Sequence, residues 1–296
     1  MSKVVKYFFF VCFCVLFFSC RQTINKERIL SVTIEPQRYF AEQLVDTLFS
    51  VQTVVPVGTS PETYDPSPVQ IANLSKSMAY FAIGYIGFEM QWLGSIKLNN
   101  HQLPVFDTSK GVDLIDTGEE HAHHHHDHHD HAHHHHGPIE PHIWTSPKQV
   151  LTIVRNMYQA LVELDPDNAS QYKQNLVKLE KEIIETDSIL TNIFANAASK
   201  SFIIYHPALT YLARDYGLTQ YCIENEGKEP SPSQLKSLII LAKESGVKTI
   251  FIQEEFDKKN AETIAKEAGC RLVTINPLSY QWKEELIRIA QAISYE

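Results

Sequence analysis

"NASQYKQNLVKLEKEIIETDSILTNIFANA", residues 168–197, runs for thirty residues without a proline or glycine. As one helix it would be about 45 Å long at 1.5 Å rise per residue, enough to span two domains. A coiled-coil segment would need a sustained heptad with charged e and g positions, and that pattern is absent. The stretch therefore reads as a connector, and what lies on either side of it decides the fold. Upstream, "ILSVTIEP" and "VQTVVPVG" read as strands, "QRYFAEQLV" and "VQIANLSKS" as helices, and "MAYFAIGYIGFE" as strand-like. "HQLPVFDTSKGVDLI" ends in a further short strand-like piece. "SPKQVLTIVRNMYQALVELDP" has Pro147 at a helix start and Leu151, Val154, Met157, Leu161 and Leu164 at helical spacing.

Downstream the alternation resumes. "SFIIYH", "TQYCIEN", "KTIFIQEE" and "RLVTINP" read as strands, separated by helices that end at Gly217, Gly246 and Gly269. A last amphipathic helix covers "YQWKEELIRIAQAI". Alternating strands and helices on both sides give an α/β fold class, with two parallel-sheet lobes joined by one long helix. The expected division is an N-terminal lobe over 28–167, a linking helix over 168–198 and a C-terminal lobe over 199–296.

The first residues stand outside that fold. Lys3 and Lys6 precede an apolar stretch from Tyr7 to Phe18, then Ser19 and Cys20. This is the layout of a signal peptide over 1–19, and its apolar part is too short for the ~20 residues of a spanning helix. "LFFSC" resembles a bacterial lipobox, with Phe17 in place of the usual leucine, which makes Cys20 the expected lipidation site and 20–27 a tether. Loss of Lys3 and Lys6 takes the formal charge from −9 to −11 over the remaining 277 residues. An acidic body argues against nucleic acid as a partner and suits cations. Cys222 and Cys270 remain after Cys12 and Cys14 leave with the signal; they lack redox or zinc-knuckle spacing, and whether they pair stays open.

Histidine is the informative residue. Twelve of the fifteen histidines lie in one run: His121, His123, His124, His125, His126, His128, His129, His131, His133, His134, His135 and His136. Such a tract has almost nothing apolar to bury, so the loop 118–138 is expected to be disordered. Its largely neutral imidazoles can hold divalent ions without the fixed geometry of one selective site. His101 sits in a polar loop, whereas His142 in "EPHIW" and His206 at the end of "SFIIYH" are expected at strand–loop junctions on opposite sides of the long helix. Ligands in open α/β sheets collect at strand C-termini, so these two point to a ligand shared between the lobes.

"PVGTSPETYDPSP", "EPHIW", "IIYHPALTYLARDYGL", "EPSPSQL", "TIFIQEEFDKKNAETIAKEAG" and "INPL" follow the order and spacing of the zinc/manganese ABC-transporter solute-binding proteins, the cluster A-I family. The resemblance covers nearly the whole mature chain, and the histidine-rich insertion is similar to that of zinc-handling members. It implies a two-lobed, non-enzymatic binding protein, monomeric and extracytoplasmic in the periplasm or at the cell surface. Its metal would sit in the cleft and pass to a membrane permease driven by an ATPase. By that resemblance His142 and His206 are ligands, Glu62 stands in the slot usually held by a histidine, and Asn276 stands where relatives have an aspartate. A Glu62–His142–His206 set is chemically competent for Zn²⁺, with Asn276, Glu254, Glu255 or water completing the shell. Glu254 or Glu255 could instead orient a histidine from behind. The oxygen donors keep Mn²⁺ and Fe²⁺ as alternatives to zinc.

Two other readings share these residues. A zinc hydrolase would also use two histidines and a glutamate, but no HExxH and no nucleophile elbow is present. A surface metal-scavenging or adhesion lipoprotein without a permease would suit the lipobox and the histidine run equally. His136 lies six residues before His142, a reach of at most ~20 Å. The run is thus expected to collect ions at low affinity beside a selective cleft.

Overall fold

The computed structural model describes residues 27–117, 139–224 and 228–295. Before the long helix the chain builds β1 (Ile29–Val32), α1 (Glu35–Val45), β2 (Ser50–Thr53), α2 (Pro68–Leu74), β3 (Ala79–Ala82), α3 (Gly87–Asn99) and β4 (Val105–Asp107). All pairings are parallel, in the order β2-β1-β3-β4. The central strand β3 is buried along its whole length, as a parallel strand covered on both faces must be. Helix α4 (Pro147–Leu164) and a 3₁₀ turn (Pro166–Asn168) lead into the long helix α5 (Ala169–Ala195). Its 27 residues span about 40 Å.

Beyond α5 the second lobe repeats the plan. It comprises β5 (Ser201–Ile204), α6 (Thr210–Tyr216), β6 (Thr219–Cys222), α7 (Pro232–Glu244), β7 (Thr249–Gln253), α8 (Lys259–Ala268), β8 (Arg271–Ile275) and α9 (Trp282–Ile293). The sheet order is β6-β5-β7-β8, again wholly parallel. Gly217 and Gly269 close α6 and α8 at φ of 65° and 71°, the left-handed region that an L side chain resists.

The lobes are held by more than α5. One apolar cluster runs from Leu30 and Phe81 through Leu176, Ile183 and Leu190 of α5 to Phe202 and Ile289. Two buried tryptophans cross the junction. Trp144 Nε1 donates to the Pro277 carbonyl at 2.8 Å, and Trp282 Nε1 donates to the Trp144 carbonyl at 2.7 Å. The Trp282 ring meets Phe40 of α1 edge-on at 5.2 Å. On α5, Glu182 accepts from Tyr39 of α1 and Asp187 accepts from Tyr216 of α6 at 2.6 Å, so the helix grips both lobes. Tyr280 also donates to Glu42 at 2.6 Å.

Several local expectations differ from what forms. "MAYFAIGYIGFE" is a strand only over Ala79–Ala82, and Gly87–Asn99 is a thirteen-residue helix. That helix scatters its apolar residues around the axis and contains Gly94, so it shows no 3.6-residue stripe to read. The last strand of the first sheet is Val105–Asp107 rather than "VDLI", because it extends the ladder beside β3 through Tyr80–Val105. The long helix starts at Ala169 and ends at Ala195, within the expected 168–198. No disulfide joins Cys222 to Cys270 among the described residues. The signal 1–19, Cys20, most of the tether 20–27, and the loop 118–138 with its twelve histidines lie outside the described residues.

Candidate metal centre

The segment after β4 returns through an isolated bridge, Asp116 to Ile139, and then "EPHIW" makes a short turn before α4. His142 caps a 3₁₀ turn, Ile143–Thr145, instead of following a strand; Pro141 before it biases Glu140 toward extended backbone. The His142 ring lies 5.1 Å from the Trp144 ring, so the tryptophan that ties the lobes together also backs this imidazole. His206 comes two residues after β5, close to where the second sheet reverses its strand order between β5 and β7. Gln253, the fully buried last residue of β7, donates to the His206 carbonyl at 2.7 Å. Phe256 stacks on the His206 ring at 5.6 Å.

The two histidines, 64 positions apart in sequence, bring their Nε2 atoms to 3.3 Å. Two nitrogens each ~2.05 Å from one Zn²⁺, at the tetrahedral angle, lie ~3.3 Å apart. The spacing is therefore the one a shared ion would impose. Each ring is oriented from behind by a carboxylate. Glu140 Oε1 is 2.5 Å from His142 Nδ1, and Glu224 Oε1 is 2.7 Å from His206 Nδ1. With each Nδ1–H donated to a carboxylate, both Nε2 lone pairs point into the pocket.

The electrostatics follow from burial against pairing. Burial would push the Glu140 carboxyl up, but the His142 charge and its hydrogen bonds outweigh that and hold it below the usual range. Burial likewise disfavours a charged His142, yet Glu140, with Glu62 and Glu224 further off, leaves the imidazole above its ordinary value. Glu140 is further fixed by Thr210 Oγ1, which donates to Oε2 at 3.2 Å, and by Tyr211, which donates to its carbonyl at 2.9 Å.

Glu62 lines the same pocket as His142 and His206. Its Oε2 accepts from the Gly87 N–H at 3.1 Å, at the start of α3. Its Oε1 is buried without a hydrogen-bond partner, an arrangement that a cation would relieve. The turn is held tightly there: a Cβ on Gly87 would come within 2.2 Å of the Glu62 carbonyl. Buried Glu89 supports the loop ahead of α3 by accepting from Ile83 N at 2.9 Å and Gly84 N at 2.7 Å.

Glu255 also lines this pocket, and burial pushes its carboxyl above the usual range. Asn276 and Glu254 do not; they line the adjoining crevice with Glu35 and Val57. The Asn276 amide oxygen already accepts from Leu278 N at 3.0 Å. Among the described residues no three His, Cys, Asp or Glu side chains are gathered closely enough to hold an ion as they stand. The two imidazoles already stand at 3.3 Å from one another. His101 is exposed, as its polar surroundings imply.

Sequence reasoning singled out Glu62, His142, His206 and Glu255 but not the carboxylates behind the rings. Glu140 stands two residues before His142 in "EPHIW", and that adjacency was its one available signal. Glu224 reaches His206 only because β6 pairs with β5, which no local pattern announces.

Comparison with known proteins gives a consistent outcome. The family model described as zinc-uptake complex component A, periplasmic, matches residues 31–290. The high-affinity zinc uptake system protein ZnuA of Bacillus subtilis is 34% identical over 258 residues, covering 86% of this chain and 79% of that protein. The zinc-binding protein AdcA of Streptococcus pyogenes is 28% identical over 278 residues; the match takes in 90% of this chain but 53% of AdcA. A crystal structure of ZnuA superposes with a TM-score of 0.82 at 35% identity, covering 90% of this chain and 98% of that one. A ZnuA deletion mutant with zinc bound gives 0.81 at 35% identity, covering 91% and 99%. The chain belongs to the family of periplasmic zinc-uptake components, cluster A-I solute-binding proteins with a transport role and no enzymatic one.

Proposed function

We propose that this chain is a lipid-anchored, monomeric extracytoplasmic protein that captures Zn²⁺ between its lobes and hands it to an ABC permease with its ATPase. The observation that carries the reading is the 3.3 Å approach of His142 Nε2 to His206 Nε2, with a carboxylate behind each ring. Imidazole nitrogens presented with their lone pairs outward suit a borderline divalent ion, and Glu62 adds an oxygen donor and a charge. Asn276 contributes little in this reading, because its oxygen serves the turn at Leu278. Removal of residues 1–19 and acylation of Cys20 would supply the anchor. Among the described residues no helix is long and apolar enough to cross a membrane. The histidine run 121–136 would act as a low-affinity collector beside the cleft, raising the local ion concentration near His142.

The test is metal analysis with chelator competition on three proteins: the mature chain, the chain lacking 121–136, and Glu62→Ala in that shortened chain. One tightly held zinc that survives loop removal and weakens with the Glu62 change is the expected result. Loss of the tightest ion together with the loop would place selectivity in the run and refute the cleft reading.

A further inference from the structure

We propose that Glu255 supplies the carboxylate oxygen that completes the metal shell, so that each lobe contributes one imidazole and one carboxylate. This rests on His142 and His206 being zinc ligands and extends that reading to the fourth donor. Three observations carry it. Glu255 lies two residues past the end of β7, and His206 two residues past the end of β5. These strands flank the point where the second sheet reverses its order, the place where open α/β sheets form ligand crevices.

Gln253 then bonds the two strand ends together. It donates from Nε2 to the His206 carbonyl at 2.7 Å and accepts from His206 N at 3.4 Å, and Phe256 lies against the His206 ring. Glu255 sits between these two residues and is thereby held beside the imidazole. Finally, Glu255 lines the pocket of Glu62, His142 and His206, whereas Glu254 and Asn276 line only the crevice beyond.

The chemistry is balanced. Two carboxylates neutralise the 2+ charge of the ion in a largely enclosed pocket, where uncompensated charge is expensive. An ion bonded to both lobes would add one more tie across a junction already held by Trp144 and Trp282. A shell with equal numbers of oxygen and nitrogen donors discriminates less against Mn²⁺ than an all-imidazole shell would.

The experiment is chelator competition with Zn²⁺ on the full mature chain, which reads the tightest ion even with the histidine run present. Glu255→Gln, Asn276→Ala and His206→Ala are compared with the parent, and each is loaded with Co²⁺ to read its visible ligand-field spectrum. Glu255→Gln should weaken zinc by at least about tenfold, the lower bound for losing even an outer partner of a metal ligand. It should also shift the cobalt spectrum and cost more than Asn276→Ala. Parent-like zinc affinity in Glu255→Gln, or a weakened variant that keeps the parent's cobalt spectrum, overturns the proposal while loss in His206→Ala leaves the site intact. Retention of tight zinc by His206→Ala as well overturns both.

Discussion

Replacing Glu140 separates charge from shape at the metal centre. Its Oε1 takes two hydrogen bonds, from His142 N at 2.8 Å and from the Nδ1 side of the ring at 2.5 Å. In Glu140→Gln the amide oxygen can accept both, and the amide nitrogen faces Thr210 Oγ1, which can accept in turn. Packing is therefore conserved, and what is lost is the charge assistance behind the imidazole. A hydrogen bond to a charged group contributes about 1.5–3 kcal/mol against about 0.5–1.5 for a neutral one. The difference of about 1 kcal/mol corresponds to a five- to tenfold loss of zinc affinity. In Glu140→Ala the ring and a backbone N–H are left buried without acceptors, at about 1–3 kcal/mol each. That variant should bind zinc 10- to 100-fold more weakly and also melt earlier without metal. Zinc competition and metal-free thermal unfolding are the assays. Zinc affinity in Glu140→Ala equal to that of the parent would refute the account of how His142 is oriented.

Other perturbations reach the scaffold. Asp215 accepts from Ser146 at 2.5 Å, Gln149 at 2.9 Å and Arg214 at 2.8 Å, joining α4 to α6. Burial alone would raise its carboxyl, but the Arg214, Gln149 and Ser146 hydrogen bonds hold it below the usual 3.8. A depressed carboxyl stabilises the fold above its unfolded value and loses that contribution as pH falls through the folded one. Stability against urea should fall on acidification below about pH 4, and less steeply in Asp215→Asn; identical acid slopes would contradict this. Trp144→Phe keeps most of the buried ring but leaves the Pro277 carbonyl without its donor, for an expected loss of about 1–3 kcal/mol in urea unfolding. In Gly87→Ala the added Cβ would stand 2.2 Å from the Glu62 carbonyl, so the turn must move. Overpacking of this kind costs about 1–3 kcal/mol, and zinc competition should show weaker binding because Glu62 moves with the turn.

The architecture was legible wherever it rests on local pattern. The uninterrupted run 168–197, Pro147 at a helix start, and glycines such as Gly217 and Gly269 each act within a few residues. Helix α3 was not legible, since Gly87–Asn99 lacks an apolar stripe. His142 and His206 could be singled out by their neighbours, but their 3.3 Å approach depends on two lobes docking through Trp144 and Trp282. Which carboxylates come near the imidazoles depends on strand order: β6 beside β5 gives His206 its partner Glu224, and β7 on the other side brings Glu255 to the lining of the same pocket. Residue types can suggest a donor set, but sheet topology decides which donors share a pocket.

The central claim is that one ion bridges the lobes through His142 and His206. The direct measurement is an anomalous difference map, collected at the zinc edge, from crystals of the mature chain grown with one equivalent of Zn²⁺. The account predicts a single dominant peak ~2.0–2.1 Å from both Nε2 atoms. A dominant peak held away from both rings, with the His142–His206 pocket empty, would contradict it.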